Sequence, residues 1–212
     1  MNLQTVYMGL KLKNPVMASA CPMTKNLDRV KEMEDADVAG IILPSLFEEE
    51  ISYDQQSMDQ FLNFSTQAVS PEATSFFPEP QNFHNFEGEE YLESLHKIKS
   101  SLGIPVIGSL NGTTAGGWIK YAKLIQEAGA DALELNIFYI PTDSALTSAQ
   151  VENRYLEILK SVKAQVSIPL AVKVGPFFSS FANMAKRFDD AGADGLVLFN
   201  RFLEPDFDLD HL

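Results

Sequence analysis

Cysteine is almost missing from this 212-residue chain. The single one, Cys21, excludes an intramolecular disulfide framework and makes a reducing, cytoplasmic setting the expectation. No run of roughly 18 apolar residues occurs, so no membrane-spanning helix is expected. The opening residues, MNLQTVYMGLKLKN, lack the apolar core of a signal peptide. Positive charge is scarce, with 16 Lys and Arg against 29 Asp and Glu, a formal net charge of −13. Such a surface repels nucleic acid and anionic lipid, so neither is an expected partner. Metal motifs are lacking too. There is no CxxC or HExxH, and His84, His96 and His211 show no ligand spacing, so no metal is expected.

Residues 48–92 lack Lys and Arg altogether and carry ten acidic residues. A solvated acidic loop is the plain reading. The same stretch holds Phe61, Phe64, Phe76, Phe77, Phe83 and Phe86. That aromatic content argues against simple disorder and for an acidic, aromatic-rich insertion packed on the rest of the chain.

Outside that stretch the pattern is regular. Residues 4–13 alternate apolar and polar around a Gly and read as a hairpin. Short buried strands are expected to start near 15, 40, 105, 132, 169 and 195. Helices are expected over 27–35, 89–102, from Thr113 or Thr114 to about 128, over 148–166 and over 180–191. Two echoes tie these elements together. AGADALELN at 128–136 recurs as AGADGLVLFN at 191–200, and GIPVIGSLNG at 103–112 recurs as SIPLAVKVGP at 167–176. The repeating unit is two strand–helix pairs. Val-, Ile- and Leu-rich strands alternating with helices predict a parallel sheet covered by helices. Without a Gly-rich dinucleotide fingerprint, the α/β class expected is a (β/α)8 TIM-barrel type with an N-terminal β-hairpin. About six of the eight strand–helix units are present, so residues 1–212 read as a single incomplete barrel domain, a piece of a longer one.

In such barrels the chemistry gathers at the C-terminal strand ends. Here those ends carry Ala18, Ser19 and Ala20, then Ser45, Asn111, Asn136, Lys173 and Asn200. One strand-end Asn forms a turn more often than it binds a ligand. Three at equivalent positions, with a lysine in the apolar strand AVKV, point to a common mouth. Carboxamides offer donor and acceptor together and suit imide edges. The lysine can stabilise an anion developing on an electron-poor ring. It could instead be a Schiff-base nucleophile, as in aldolase-type barrels. A non-catalytic barrel piece is a third reading. Cys21 follows the first strand and could approach the mouth, although a buried, inert thiol is the plainer expectation.

The order of motifs resembles the dihydroorotate dehydrogenase family, and looks closest to its soluble class and to a dihydroorotate-dehydrogenase-like branch. TVYMGLKLKNPVMASA is similar to the family's hairpin and first strand, AVKVGP to its x-x-K-x-x-P strand, and AGADGLVLFN to its AGADGL-x-x-x-N segment. The likeness covers about residues 4–202 and corresponds to the first two-thirds of a family member. It implies an FMN-dependent oxidoreductase of pyrimidine-biosynthesis type that oxidises a CH–CH bond of a small-molecule substrate, commonly as a homodimer. By the same resemblance, Ala18, Ser19, Ala20, Ser45, Asn111, Asn136 and Lys173 contact FMN. Asn136 and Asn200 bind substrate, and Lys173 stabilises the reduced flavin. The chain departs from the family at Leu43-Pro44-Ser45, which lacks the family's lysine. It departs again at the loop that supplies the family's catalytic Cys or Ser, which reads Asn136-Ile137-Phe138-Tyr139-Ile140-Pro141. Tyr139 is the candidate proton-transfer group there. A tyrosine with its usual pKa near 10 is a poor base at neutral pH. The family's phosphate-binding turns belong to a seventh and an eighth strand, outside this sequence.

Overall fold

A computed structural model describes residues 1–49, 87–112 and 114–201. The chain opens with a hairpin, β1 (Thr5–Tyr7) and β2 (Leu10–Leu12), turned at Met8 and Gly9, both with positive φ. A short 3-10 turn (Pro22–Lys25) leads into α1 (Leu27–Asp35). The remaining elements alternate: β3 (Ile41–Phe47), α2 (Glu87–Ser101), β4 (Val106–Asn111), α3 (Ala115–Glu127), β5 (Ala132–Asn136), α4 (Ser148–Lys163), β6 (Leu170–Val174), α5 (Phe181–Asp190) and β7 (Gly195–Leu198). Strands β3 to β7 pair in sequence order as one parallel sheet. The strand expected at 16–20 is reduced to a single parallel bridge, Ala18 to Ile41, closed by Ala18 N–H donating to Gly40 O and Ile42 N–H donating to Ala18 O. Of the insertion expected over 48–92, residues 50–86 lie outside the described residues, as do His84, His211 and the tail 202–212. Residues 87–92 open α2.

The sequence echo has a structural basis. Gly129 and Gly192 hold matching positive φ angles of 97° and 96° after α3 and α5, a backbone region that favours glycine. Two residues on, each copy places an aspartate that clips neighbouring units together. Asp131 accepts from the Val106 backbone N–H at 2.7 Å and pairs with Lys99 at the end of α2. Asp194 accepts from the Leu170 N–H at 2.8 Å and pairs with Lys163 at the end of α4. The start of each of these strands is thus anchored to the next strand and to the helix before it.

Strand alternation gives the sheet two faces. One face packs under the helices through Leu43, Leu46, Leu110, Leu133, Leu135, Val172 and Val174, against Trp118, Ile125, Tyr155, Leu159 and Phe188. The other face begins, at the strand starts, with Ile42, Ile107, Ala132 and Ala171, closed off by Met8 from the hairpin. Two residues further along the strands this face turns polar, with Ser109, Glu134 and Lys173. Two residues further again stand Asn111 and Asn136.

One irregularity bears on that polar layer. Pro44 in β3 has no N–H to give, and the β3–β4 register shifts between Ile42 and Ser45. The Tyr91 phenol of α2 serves both backbone groups of Ser109, accepting from its N–H at 3.0 Å and donating to its carbonyl at 3.2 Å.

Candidate active site

The C-terminal strand ends surround a cavity of about 860 Å³. Ser19, Ala20, Ser45, Asn111, Asn136, Lys173 and Asn200 all line it. Seven of the residues singled out from strand-end position are thereby brought together. Phe47, Phe138, Val197 and Phe199 add apolar wall, and Cys21 stands on the rim. Lys25, Lys173 and Arg201 line the same cavity, with no Asp or Glu among the described lining residues. Lys25 meets Glu90 and Lys173 meets Glu134, yet all three cations set donors at the cavity wall, which suit an electron-rich ligand.

Below the cavity floor runs a chain of hydrogen bonds with one direction. Asn200 Nδ2 donates to Asn136 Oδ1, and Asn136 Nδ2 donates to Ser45 Oγ at 2.9 Å. Ser45 and Ser109 hydroxyls meet at 2.8 Å, and Ser109 Oγ donates to Glu134 Oε1 at 3.0 Å. Since Ser109 spends its proton on Glu134, Ser45 is the donor in the serine pair. Lys173 Nζ reaches the same Glu134 oxygen at 3.4 Å. Glu134 is effectively buried, its side chain 1% exposed, and that of Lys173 is 12% exposed. An ion pair so removed from water needs its partner, because either charge alone there would be costly. Glu134 also acts on two phenols. Burial, and then the Glu134 charge, push Tyr7 above its usual pKa. Burial raises Tyr91 further, with Glu134 adding to it and the bond to Ser109 opposing it.

Two expected residues fall elsewhere. Ala18 does not line the cavity. Its N–H and C=O are both spent on β3, and its side chain packs toward the helix-covered core. Tyr139 also turns away. Asn136 lines the large cavity, while Ile137 and Tyr139 line a second, adjoining one of about 500 Å³ with Trp118, Arg154 and Tyr155; Phe47, Asn111 and Phe138 line both. The Arg154 guanidinium lies 4.5 Å from the Tyr139 ring centre. The phenol is three residues past Asn136, an odd offset, and alternation sends it to the other side. Conversely, strand-end position does not single out Glu134 or Ser109. The available signal was a carboxylate between two leucines in ALELN, which is as unusual as the lysine in AVKV.

Among the described residues no cluster of three or more His, Cys, Asp or Glu could hold a metal ion. No described helix is long and apolar enough to cross a membrane.

No family model matches the chain. It is 25% identical over 213 residues to the NAD-dependent dihydropyrimidine dehydrogenase subunit PreA of Escherichia coli (strain K12), covering 94% of this chain and 48% of that protein. It is 24% identical over 201 residues to the catalytic subunit of dihydroorotate dehydrogenase B (NAD(+)) of Thermoplasma acidophilum, covering 94% of this chain and 62% of that one. The chain therefore spans about half to three-fifths of the length of these curated relatives. Among solved structures, phosphonopyruvate hydrolase superposes with a TM-score of 0.50 at 17% identity, over 89% of this chain and 58% of the other. That likeness concerns the fold alone and agrees with a TIM-barrel-like arrangement of the parallel sheet. Over nearly its whole length, at low identity, the chain is similar to oxidoreductase subunits of the dihydroorotate and dihydropyrimidine dehydrogenase kind.

Proposed function

We propose that this chain supplies the ring-binding part of an FMN-dependent oxidoreductase resembling dihydroorotate dehydrogenase, which oxidises a CH–CH bond in a small cyclic substrate. The observation that carries this reading is the convergence of Ser19, Ala20, Ser45, Asn111, Asn136, Lys173 and Asn200 on one cavity. The donor set fits the group. A flavin's pyrimidine edge alternates carbonyl oxygens with an imide N–H, and carboxamides complement both. FMN, when bound, supplies the two-electron acceptor for the substrate's CH–CH bond.

The chain's own residues then divide the work. Asn111 and Asn136 would hydrogen-bond the ring edge and fix its orientation. The Lys173 ammonium would stabilise negative charge on the ring, inside a wall dry enough to strengthen the interaction. Asn200, joined to Asn136, holds the substrate's polar edge. Phe138 and Phe199 exclude water. Tyr139 lines the adjoining second cavity. The homologous names support a pyrimidine-like substrate.

The test is direct. Full-length protein should purify yellow or become so with added FMN, and the colour should bleach on reduction with dihydroorotate, dihydrouracil or dithionite. Protein that takes up no FMN, yet is trapped on Lys173 by borohydride with a carbonyl compound, would overturn the reading.

A further inference from the structure

Glu134 is a buried titratable group that the proposed chemistry does not use. It lies under the floor of the cavity and is absent from its lining. Its Oε1 accepts from both Ser109 and Lys173, while its Oε2 is buried and has no hydrogen-bond partner among the described residues. Ser109 of β4 and Lys173 of β6 meet it directly. The donors of Asn200, Asn136, Ser45 and Ser109 follow one another toward Oε1, and Lys173 arrives from the opposite side.

A carboxylate can only accept, so it dictates the sense of every bond that leads to it. With Asn136 Oδ1 taken by Asn200, and Asn136 Nδ2 committed to Ser45, both carboxamide orientations are set. Asn200 Oδ1 in turn accepts from the Arg201 N–H. What remains for the cavity is rich in donors, namely a second N–H on each carboxamide and the unshared N–H groups of Lys173.

We propose that Glu134 is the positioning residue of this site. It holds the Lys173 ammonium against the cavity wall and orients the serine–carboxamide chain so that the floor presents donors. The ligand edge it selects is one of acceptors: ring carbonyls or an anionic ring nitrogen. This deepens the reading above and rests on it for the identity of the ligand. The placement of Lys173 by Glu134 does not depend on any ligand.

The decisive variant is Glu134→Gln. The amide keeps an oxygen for Ser109 and Lys173 and puts its NH2 where Oε2 already lacks a partner, so charge is what changes. In ligand-free protein, reductive methylation of Lys173, read by peptide mass spectrometry, is expected to run on the order of tenfold faster in Glu134→Gln than in the wild type. Without the carboxylate the Lys173 side chain loses a charge-assisted hydrogen bond and swings free toward the reagent, a change of about tenfold in its access. Lys99, paired with Asp131, serves as the internal control and should not change. Glu134→Asp should restore a rate close to that of the wild type. Equal Lys173 rates in wild type and Glu134→Gln would overturn the proposal.

If Glu134→Gln fails to fold, the double variant Glu134→Gln/Lys173→Met decides the matter. It should recover a folded protein, because the stranded charge is gone. A double variant that also fails to fold would make Glu134 a packing residue and refute its positioning role. An FMN titration of the wild type runs alongside. Failure to bind FMN would remove the cofactor reading and leave the Lys173 result standing.

Discussion

Asp131 offers the sharpest test of how the site is held together. Its Oδ2 accepts from the Val106 N–H and from Lys99, each at 2.7 Å, and Oδ1 takes a second bond from Lys99 at 2.8 Å. Val106 is fully buried at the start of β4, the strand that carries Ser109 and Asn111 toward the cavity. Asp131→Ala leaves that N–H without its acceptor, which costs about 1–3 kcal/mol. The ion pair adds little. Its two side chains are 32% and 26% exposed, so solvent screening limits it to at most about 1 kcal/mol. The total is about 1–4 kcal/mol, a sizeable share of the roughly 5–15 kcal/mol that holds a typical domain. Asp131→Asn separates the contributions. Its carbonyl oxygen still accepts from Val106, so the loss should fall to about 1 kcal/mol. Urea denaturation followed by circular dichroism measures both. An Asn variant as unstable as the Ala variant would show that the charge pair, rather than the strand N–H, carries the clip. Two harmless variants would show that the repeated aspartate has no structural role.

The remaining predictions concern the same layers. Tyr91→Phe leaves the Ser109 N–H and C=O without their shared partner and should cost about 1–3 kcal/mol. Since the folded chain raises the Tyr91 and Tyr7 pKa values, their stabilising contribution is complete below the unfolded value near 10 and falls away as pH rises beyond it. Denaturant midpoints should thus drop at alkaline pH, and less steeply in Tyr91→Phe; identical slopes would contradict the assignment. Gly117→Ala would push a methyl group to within 2.0 Å of the Glu48 carboxylate, which receives Thr114 N–H and Oγ at the start of α3. Displacing that carboxylate should lower the melting temperature by several degrees, matching about 1–3 kcal/mol, and an unchanged melting curve would argue against this packing.

The fold was largely legible in the sequence because the features that build it are local and repeated. AGAD marks a helix end, a positive-φ glycine and a strand start, and both copies do the same work in space. The face of α3 carrying Trp118, Tyr121, Ala122 and Ile125 is buried as its spacing implied. The candidate site was legible in part. Strand-end position alone collected the polar residues Ser19, Ser45, Asn111, Asn136, Lys173 and Asn200, with Ala20, that line the cavity. It failed at Ala18, where pairing consumed the backbone; Tyr139, taken from the family resemblance instead, packs beside the adjoining second cavity. It also passed over Glu134 and Ser109, one step below the strand ends. Their importance is a matter of three-dimensional partners: a buried carboxylate acquires meaning only once the lysine from β6 and the serines from β3 and β4 are seen to meet it.

The claim that this cavity receives a flavin ring is tested most directly by an FMN fluorescence-quenching titration of the wild type, Asn136→Ala and Lys173→Met. Saturable binding by the wild type, weakened about tenfold or more in each variant, is the predicted result, each variant losing a hydrogen-bonding partner worth about 1–3 kcal/mol. Equal affinity in all three, or no binding by a folded wild type, would contradict it.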